Sequence, residues 1–356
     1  MKMAIVGAGA IGGLLGVKLA LCGHEVTYIA RNQNLIAINA HGFELIDEAG
    51  GRHLAQNVRA VQAAHEAGPQ DAVFLCVKAH QVRALLPQLH ELLGPQTMLV
   101  SMINGLPWWY FQNLAGEFEG RSLNAVDAGG EIARQIDPSR VIGSVVYPAA
   151  QLLAPGVVQH LSGNRFTLGE LDGARTPRIE ALSQAMIAAG FKAPVSKDIR
   201  AEIWVKLWGN LCLNPISALT GSTLEQMCVF PPTRELIAQM MTQAAQVANR
   251  LGVKFPMSID KRIAGAQAVG AHKTSMLQDL EADRELELEA LLGSVVELAR
   301  MMHINTPHLD AIYAATSLLG LTRATKRADP SLKVAGPATS TTTSGERKEI
   351  LDRKAG

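Results

Sequence analysis

The segment MKMAIVGAGAIGGLLGVKLALCGHEVTYIAR, residues 1–31, decides how the first half of this chain folds. A short apolar run, Met3–Val6, leads directly into glycines at positions 7, 9 and 12. A stretch with helical character continues to Leu21, and a second strand-like run covers Glu25–Ile29. The order of strand, glycine-rich loop, helix and strand predicts a dinucleotide-binding unit with the spacing G-x-G-x-x-G.

Each glycine of this loop has its own physical task. Gly7 allows a tight turn, Gly9 lets backbone amides approach a pyrophosphate, and Gly12 allows the helix to pack close to the strand. The helix N-terminus then stabilises the phosphate charge. The spacing alone is weak evidence, but its position between two strands is specific. We predict an N-terminal Rossmann domain with cofactor contacts from six consecutive residues: Gly7, Ala8, Gly9, Ala10, Ile11 and Gly12.

The residues after the second strand bear on the choice of cofactor. An NAD site usually places Asp or Glu there to hold the ribose 2′-hydroxyl. This chain has Ala30, Arg31 and Asn32 instead. A guanidinium can make charge-assisted, bidentate bonds to the 2′-phosphate of NADP. Arg31 therefore predicts NADP (NADPH) as cofactor, with an exposed loop arginine of no special role as the alternative.

Two further buried strands, predicted at 71–77 and 97–103, each end in a polar residue. Lys78 follows the first strand and Asn104 follows the second. Because ligands of open parallel sheets bind outside the carboxyl ends of the strands, both side chains should face the cofactor crevice. Either could instead cap the helix that follows it. Later strands are predicted at 140–146, 157–161 and 165–169.

The second half of the chain has long helical patterns in place of strand alternation. Helices are predicted at 178–189, 199–214, 233–251 and 285–302, with shorter ones between them. Asp, Gly and Pro cluster at 171–177, which favours a domain boundary there. The predicted fold is α/β: a Rossmann dinucleotide-binding domain at 1–172, followed by an all-helical domain at 176–325. The polar, low-complexity residues 326–356 are expected to form a disordered tail.

The predicted helix at 199–214 is apolar on almost every side, yet three polar residues recur at intervals of four. Lys206, Asn210 and Asn214 would form one narrow stripe along it. The stripe could face a polar cleft, where a lysine loses hydration and becomes a better acid. Alternatively, Glu202 and Lys206 could form an ordinary surface ion pair. Pro215 is predicted to end the helix just after Asn214.

Composition excludes several classes of protein. The chain has 356 residues, a formal net charge of +1 and 48% hydrophobic residues, which is not the profile of a nucleic-acid-binding protein. Its four cysteines show no pairing pattern and its ten histidines no ligand spacing. No apolar run reaches the roughly 18 residues of a membrane span. We expect a cytoplasmic monomer or homodimer without metal, nucleic-acid or membrane partners.

Two motifs in the second half carry a family resemblance. RAEIWVKLWGNLCLNPISALTG, residues 200–221, and KTSMLQDLEADRELELE, residues 273–289, resemble the ketopantoate reductases, and the likeness extends over residues 1 to about 320. The resemblance implies an NADP-binding Rossmann domain, a helical domain and an active site between them. It implies reduction of 2-dehydropantoate, a 2-oxo acid, to (R)-pantoate in pantothenate and coenzyme A biosynthesis.

The resemblance also implies roles for single residues. Lys206 would be the general acid, and the substrate would be bound by Asn104, Asn210, Asn214 and Ser275. The cofactor would be contacted by Arg31, Lys78, Asn104, Glu287 and an alanine that is either Ala149 or Ala150, with Ala150 preferred. Since Ser275 and Glu287 are twelve residues apart, a helix break near 282–283 is expected to bring both to the cleft.

The chain departs from the family pattern at two places. A further substrate asparagine is expected near Leu224, where this chain has none, and residues 106–140 look longer than in compact members. These departures bear on the substrate and not on the reaction type. One alternative is therefore the same chemistry on another branched 2-oxo acid or on a β-hydroxy acid. A separate alternative, from another class of protein, is a non-catalytic NADP-binding sensor.

Overall fold

The computed structural model describes residues 1–328. Its strands are β1 (Lys2–Val6), β2 (Glu25–Ile29), β3 (Phe43–Ile46), β4 (Arg52–Ala55), β5 (Val58–Val61), β6 (Gln70–Leu75), β7 (Leu93–Ser101), β8 (Val141–Val146), β9 (Ala149–Ala154), β10 (Val157–Ser162) and β11 (Phe166–Glu170). Its helices are α1 (Ala10–Leu21), α2 (Asn32–His41), α3 (Val82–Leu92), α4 (Asn124–Asp127), α5 (Glu131–Gln135), α6 (Pro177–Ala188), α7 (Ile199–Thr220), α8 (Leu224–Val229), α9 (Pro231–Arg250), α10 (Ile259–Gln267), α11 (Ser275–Glu281), α12 (Ser294–Met301) and α13 (Pro307–Ala328).

The main sheet has seven strands in the order β11-β8-β7-β6-β1-β2-β5. All neighbouring pairs are parallel except β11 with β8. The strand order reverses at β1, so a crevice opens between the carboxyl ends of β1 and β6, where ligands of such sheets bind. The predicted α/β fold, with an N-terminal sheet of the Rossmann type, is confirmed.

A second sheet of four strands, β4-β3-β10-β9, packs on α1. It explains why eight of the twelve residues of that helix are buried. The sequence analysis predicted β10 but missed β3, β4, β5 and β9. The sequence of β4 is RHLA and that of β9 is AAQLLA, so neither contains a β-branched residue. Their strand conformation depends on pairing with neighbours, because intrinsic β-propensity is a weak and context-dependent signal.

Every regular element of residues 199–328 is a helix, and α7 lies at their centre. It contacts α8, α9, α11 and α13 as well as β8 and β11. The prediction that Pro215 ends this helix is wrong, since α7 continues to Thr220 and Gly221 follows with φ +71°. Residues 211–218 are all buried. Their packing outweighs the roughly 3 kcal/mol that an interior proline costs a helix.

The segment between α11 and α12 differs in part from its prediction. The expected break near 282–283 is confirmed, because α11 ends at Glu281 and Asp283 has φ +51°. The predicted helix at 285–302 starts late: residues 284–287 are irregular, and a π-helical turn at Glu289–Gly293 precedes α12. Residues 326–328, assigned to the predicted tail, are the last residues of α13. The rest of that tail lies outside the described residues.

The packing of side chains puts the boundary between the sheet domain and the helical domain later in the chain than the sequence analysis predicted. The predicted helix at 178–189 forms as α6, but Ile179, Leu182 and Met186 share a hydrophobic cluster with Met3 and Ile5 of β1. Residues of α7, in contrast, belong to the cluster that contains the other C-terminal helices. We therefore propose a boundary at about 196–198 rather than at 172–176.

The segment after β7 anchors α7 to the sheet. Four consecutive aromatic residues, at 108–111, are buried. Trp204 Nε1 of α7 donates a hydrogen bond to Tyr110 Oη at 2.7 Å. Arg200, only 8% exposed, donates to the carbonyls of Tyr110 at 2.7 Å and Gln112 at 2.6 Å, and also to the carbonyl of Leu171. This one side chain therefore joins α7, the segment after β7 and the end of β11.

We expect Arg200→Met to lower the free energy of unfolding by about 3 kcal/mol or more, because buried carbonyls lose their donor at about 1–3 kcal/mol each. Urea unfolding of the purified protein measures this change. Arg250→Met is the matched control, since Arg250 pairs with Glu117 on the surface and both side chains are more than half exposed. The free energy of unfolding of Arg250→Met should fall by less than about 1 kcal/mol. Equal losses in the two variants would contradict the anchoring role.

Candidate active site

The glycine loop after β1 has the shape of a phosphate site. Gly7 has φ +104°. A Cβ atom on Gly12 would lie 2.0 Å from the Gly7 carbonyl oxygen, whereas a Cβ atom on Gly9 would meet no atom within 4 Å. Gly9 therefore borders open space at the N-terminus of α1, which has no side-chain cap. The exposed amides and the helix dipole suit a pyrophosphate. The six predicted cofactor residues lie in this loop and in the first turn of α1.

Asn34 of α2 holds this loop in place. Its Nδ2 donates to the Ala8 carbonyl at 2.9 Å, and its Oδ1 accepts from the Gly156 amide at 3.0 Å. One amide side chain thus ties the loop to the turn between β9 and β10. The sequence analysis missed Asn34, because no local signal relates it to Gly156.

Two predicted cofactor residues lie at the edge of this region. Arg31 is exposed, follows β2 and immediately precedes α2. No carboxylate within residues 1–328 lies at ion-pair distance from its guanidinium. Ala150 lies on β9 opposite His160 of β10, in the sheet that packs on α1. The structure gives no side-chain contact between either residue and the lysines described next.

Lys78 lies just beyond β6 and joins two carboxylates from the second half of the chain. Its Nζ is 2.7 Å from Asp279 Oδ2 and 2.8 Å from Glu287 Oε2, and both acids are buried. Burial by itself lowers the pKa of Lys78, but the charges of Glu287 and Asp279 outweigh it and the pKa is raised. Lys78 therefore stays protonated and fixes the position of Glu287. Sequence analysis missed Asp279, although it lies four residues after Ser275 on α11.

Lys206 lies where α7 meets the carboxyl ends of β7 and β8. Its Nζ donates to Asn104 Oδ1 at 2.5 Å and to the Val146 carbonyl at 2.5 Å. Loss of hydration on burial lowers the pKa of Lys206 to about 8, against a smaller opposing effect of the Glu287 charge. Both hydrogen-bond acceptors are neutral, so no adjacent ion pair stabilises the charged form. Such a lysine is a competent proton donor near neutral pH.

The rest of the stripe faces the same cleft. Asn210 lines it together with Lys206 and Asn104. One turn further, Asn214 Nδ2 lies 3.5 Å from Ser275 Oγ at the start of α11. Glu202 approaches Arg165 at 3.7 Å, whereas Lys206 pairs with Asn104. The alternative of a Glu202–Lys206 surface pair is therefore wrong, because α7 lies against the sheet along this stripe.

The loop that carries Asn104 is held by the π-helical turn. Gly105 has φ +87°, and a Cβ atom there would lie 2.1 Å from the Ala290 carbonyl oxygen. That oxygen accepts hydrogen bonds from the Leu106 amide and from Ser294 Oγ, both at 2.9 Å. This contact joins the Asn104 loop to the turn that begins two residues after Glu287. Single π-helical turns are frequent at functional sites.

Within residues 1–328 there is no group of three or more His, Cys, Asp or Glu side chains placed to hold a metal ion. None of the helices in that range is both long and apolar enough to cross a membrane.

Comparison with known proteins gives consistent matches over most of the chain. Residues 3–109 match the family model described as ketopantoate reductase PanE/ApbA, and residues 198–319 match the model of its C-terminal region. A 2-dehydropantoate 2-reductase of Mesorhizobium japonicum is 50% identical over 324 residues, which are 91% of this chain and 99% of the relative.

Solved structures show the same fold. A structure from Ralstonia solanacearum, assigned to the ketopantoate reductases, has a TM-score of 0.86 at 37% identity and covers 91% of this chain and 98% of its own. D-Mandelate dehydrogenase with NADH and anilino(oxo)acetate, at 20% identity and a TM-score of 0.77, covers 91% of this chain and 100% of its own, and shares the fold. Because the chain matches both family models and is 50% identical to a relative over most of its length, it belongs to the ketopantoate reductase PanE/ApbA family.

Proposed function

We propose that this protein catalyses the NADPH-dependent reduction of 2-dehydropantoate to (R)-pantoate, a step of pantothenate and coenzyme A biosynthesis, with Lys206 as general acid. The observation that carries the proposal is the Lys206 ammonium group, held between Asn104 and the Val146 carbonyl with its pKa lowered to about 8. The 50% identical relative that is named for this reaction supports the substrate.

The glycine loop and the carboxyl edge of the sheet fit a nicotinamide dinucleotide. The loop residues 7–12 would hold its pyrophosphate, and Arg31 would hold the 2′-phosphate that distinguishes NADPH from NADH. When bound, the cofactor supplies the hydride that reduces the substrate carbonyl carbon. Lys78 and Glu287, joined at 2.8 Å, lie beside this crevice and would contact the cofactor.

The chain's own part in the reaction is proton supply and orientation. Lys206 donates a proton to the carbonyl oxygen as negative charge develops there, and this stabilises the transition state. Asn104 and the Val146 carbonyl aim the ammonium group, because each accepts one of its three N–H bonds. Asn210 and Asn214 on one face of α7, together with Ser275 at the start of α11, would bind the polar groups of the substrate.

A second candidate is reduction of a related branched 2-oxo acid by the same chemistry. It is favoured by Leu224, the first residue of α8, where the family resemblance led us to expect a substrate-binding asparagine. A panel of 2-oxo acids, assayed by the loss of NADPH absorbance, tests both candidates. The highest kcat/KM on 2-dehydropantoate supports the first, and the highest value on another acid replaces it. NADPH binding without turnover of any acid would favour the sensor alternative.

Lys206→Ala should lower kcat by roughly 10²–10⁴, the usual contribution of a general acid, while the Kd for NADPH stays within about twofold. Steady-state kinetics and fluorescence titration of NADPH measure the two effects. Lys254→Ala, at an exposed lysine of the helical half, is the control and should retain wild-type kcat. A Lys206→Ala enzyme with near wild-type kcat would refute the role of this residue.

The rate of reduction should depend on pH in a direction that the lowered pKa of Lys206 sets. The proton donor is charged below its pKa, so kcat should be constant at lower pH and fall as the pH rises through about 8. At still higher pH the decrease should approach about tenfold per pH unit. Lys206→Ala should lack this alkaline decrease. The same decrease in both proteins would assign it to another group.

Arg31→Ala should weaken NADPH binding roughly thirtyfold and NADH binding by less than about twofold. The reason is that only NADPH has the 2′-phosphate, and a charge-assisted contact contributes about 2 kcal/mol. Fluorescence titration with each cofactor gives both dissociation constants. Arg83→Ala, at an exposed arginine paired with Glu131, should leave both unchanged. Equal weakening of the two cofactors by Arg31→Ala would exclude a 2′-phosphate contact.

A further inference from the structure

Arg262 of α10 places its guanidinium group directly against the backbone of α7. A Cβ atom on Gly209 would lie 2.1 Å from Arg262 Nη2, 2.7 Å from Cζ and 3.1 Å from Nε. Gly209 is buried, so the guanidinium occupies the space that any side chain at 209 would fill. This contact can form only if position 209 has no side chain and position 262 carries a long one.

The Arg262 guanidinium has no counter-charge within residues 1–328. No carboxylate in that range lies at ion-pair distance, no hydrogen bond from the guanidinium is present, and the buried Nε atom has no partner. Burial lowers the pKa of Arg262, and the groups that act against this, Cys212, Tyr147 and Cys228, include no carboxylate. Arg200, in contrast, donates to three backbone carbonyls. Arg262 is partly buried, and a partly buried cation whose Nε has no partner is costly, which indicates a place prepared for an anion.

Arg262 is beside α7, the helix that brings Lys206 to the cleft. On α7, its contact residue Gly209 directly precedes Asn210 and follows Lys206 by three positions. On the sheet side, Tyr147, one of the groups that act electrostatically on Arg262, directly follows Val146, whose carbonyl accepts the hydrogen bond from Lys206. The guanidinium thus lies against the stretch of α7 that carries Lys206 and Asn210. In addition, α10 packs on α8, which begins at Leu224.

We propose that Arg262 binds the carboxylate of the 2-oxo acid substrate, and that Gly209 is required for it to do so. The proposal rests on the proposed function and adds the group that recognises the acid. A guanidinium can hold a carboxylate through two parallel hydrogen bonds, which fixes the orientation of the substrate as well as its charge. The neighbouring carbonyl oxygen is then left for Lys206. The charged carboxylate supplies the counter-charge that Arg262 lacks within residues 1–328.

The first test is Arg262→Met, which keeps the volume of the side chain and removes its charge. KM for 2-dehydropantoate should rise roughly 10- to 100-fold, the range of a charge-assisted hydrogen bond, while the Kd for NADPH stays within about twofold. Reduction of the neutral lactone of 2-dehydropantoate, which has no carboxylate, should be unaffected. Arg262→Lys should recover part of the loss. Arg234→Met is the control, because Arg234 pairs with the exposed Asp260.

Gly209→Ala tests the same contact from the other side. The added methyl group would displace the guanidinium, although alanine is the better helix former, so KM should rise without loss of stability. In the Arg262→Met background, Gly209→Ala should have no further effect on KM. Urea unfolding of Arg262→Met should show a stability equal to or above wild type, because a partly buried charge without a counter-charge has been removed. If Arg262 had only a structural role, Arg262→Met would instead lower the stability and leave the ratio of the KM values for acid and lactone unchanged.

Unchanged KM for the acid in Arg262→Met, or an equal rise for acid and lactone, would overturn the proposal. If wild type turns over no 2-dehydropantoate, the proposed function fails, and binding decides the role of Arg262 separately. Calorimetric titration of (R)-pantoate and of 2-oxoisovalerate, each with NADP⁺ present, then compares wild type with Arg262→Met. Tighter binding of these carboxylates to wild type supports the anion site, and equal binding, including none to either protein, overturns it.

Discussion

The contact of the Lys206 ammonium with Asn104 and the Val146 carbonyl is the constraint on which the rest of the site depends. It joins the central helix of the C-terminal half to the carboxyl ends of two neighbouring strands. Because both acceptors are neutral, the charge is held without being neutralised, and removal from water lowers the pKa to about 8. The same interaction therefore positions α7 and prepares a proton donor.

The two lysines of the cleft illustrate how partners decide the effect of burial. Lys78 loses hydration but lies between Asp279 and Glu287, so its pKa is raised. Lys206 loses hydration with only neutral acceptors, so its pKa is lowered. The first lysine is suited to holding a fixed positive charge and the second to giving up a proton. Since Glu287 pairs with Lys78 and its charge also reaches Lys206, the two behaviours are coupled across the cleft.

Several buried contacts outside the cleft hold these groups at their distances. Arg200 and the aromatic residues at 108–111 fix α7 against the segment that follows β7. The Ala290 carbonyl in the π-helical turn holds the Asn104 loop against the segment that follows Glu287. These contacts lie between residues far apart in the chain. Small changes there would alter the geometry of proton transfer, because catalysis depends on the alignment of the reacting groups.

The sequence by itself determined the features that have local causes: the glycine loop with its flanking strands and the polar stripe of α7. These follow from residue spacing within one element and from glycine and helix geometry. Only the tertiary structure decided that α7 continues through Pro215, that Asp279 joins Lys78, and that Arg262 lies unpaired beside Gly209. The physical reason is that burial and pairing energies come from partners distant in the chain, and such partners leave no periodic signal in either segment.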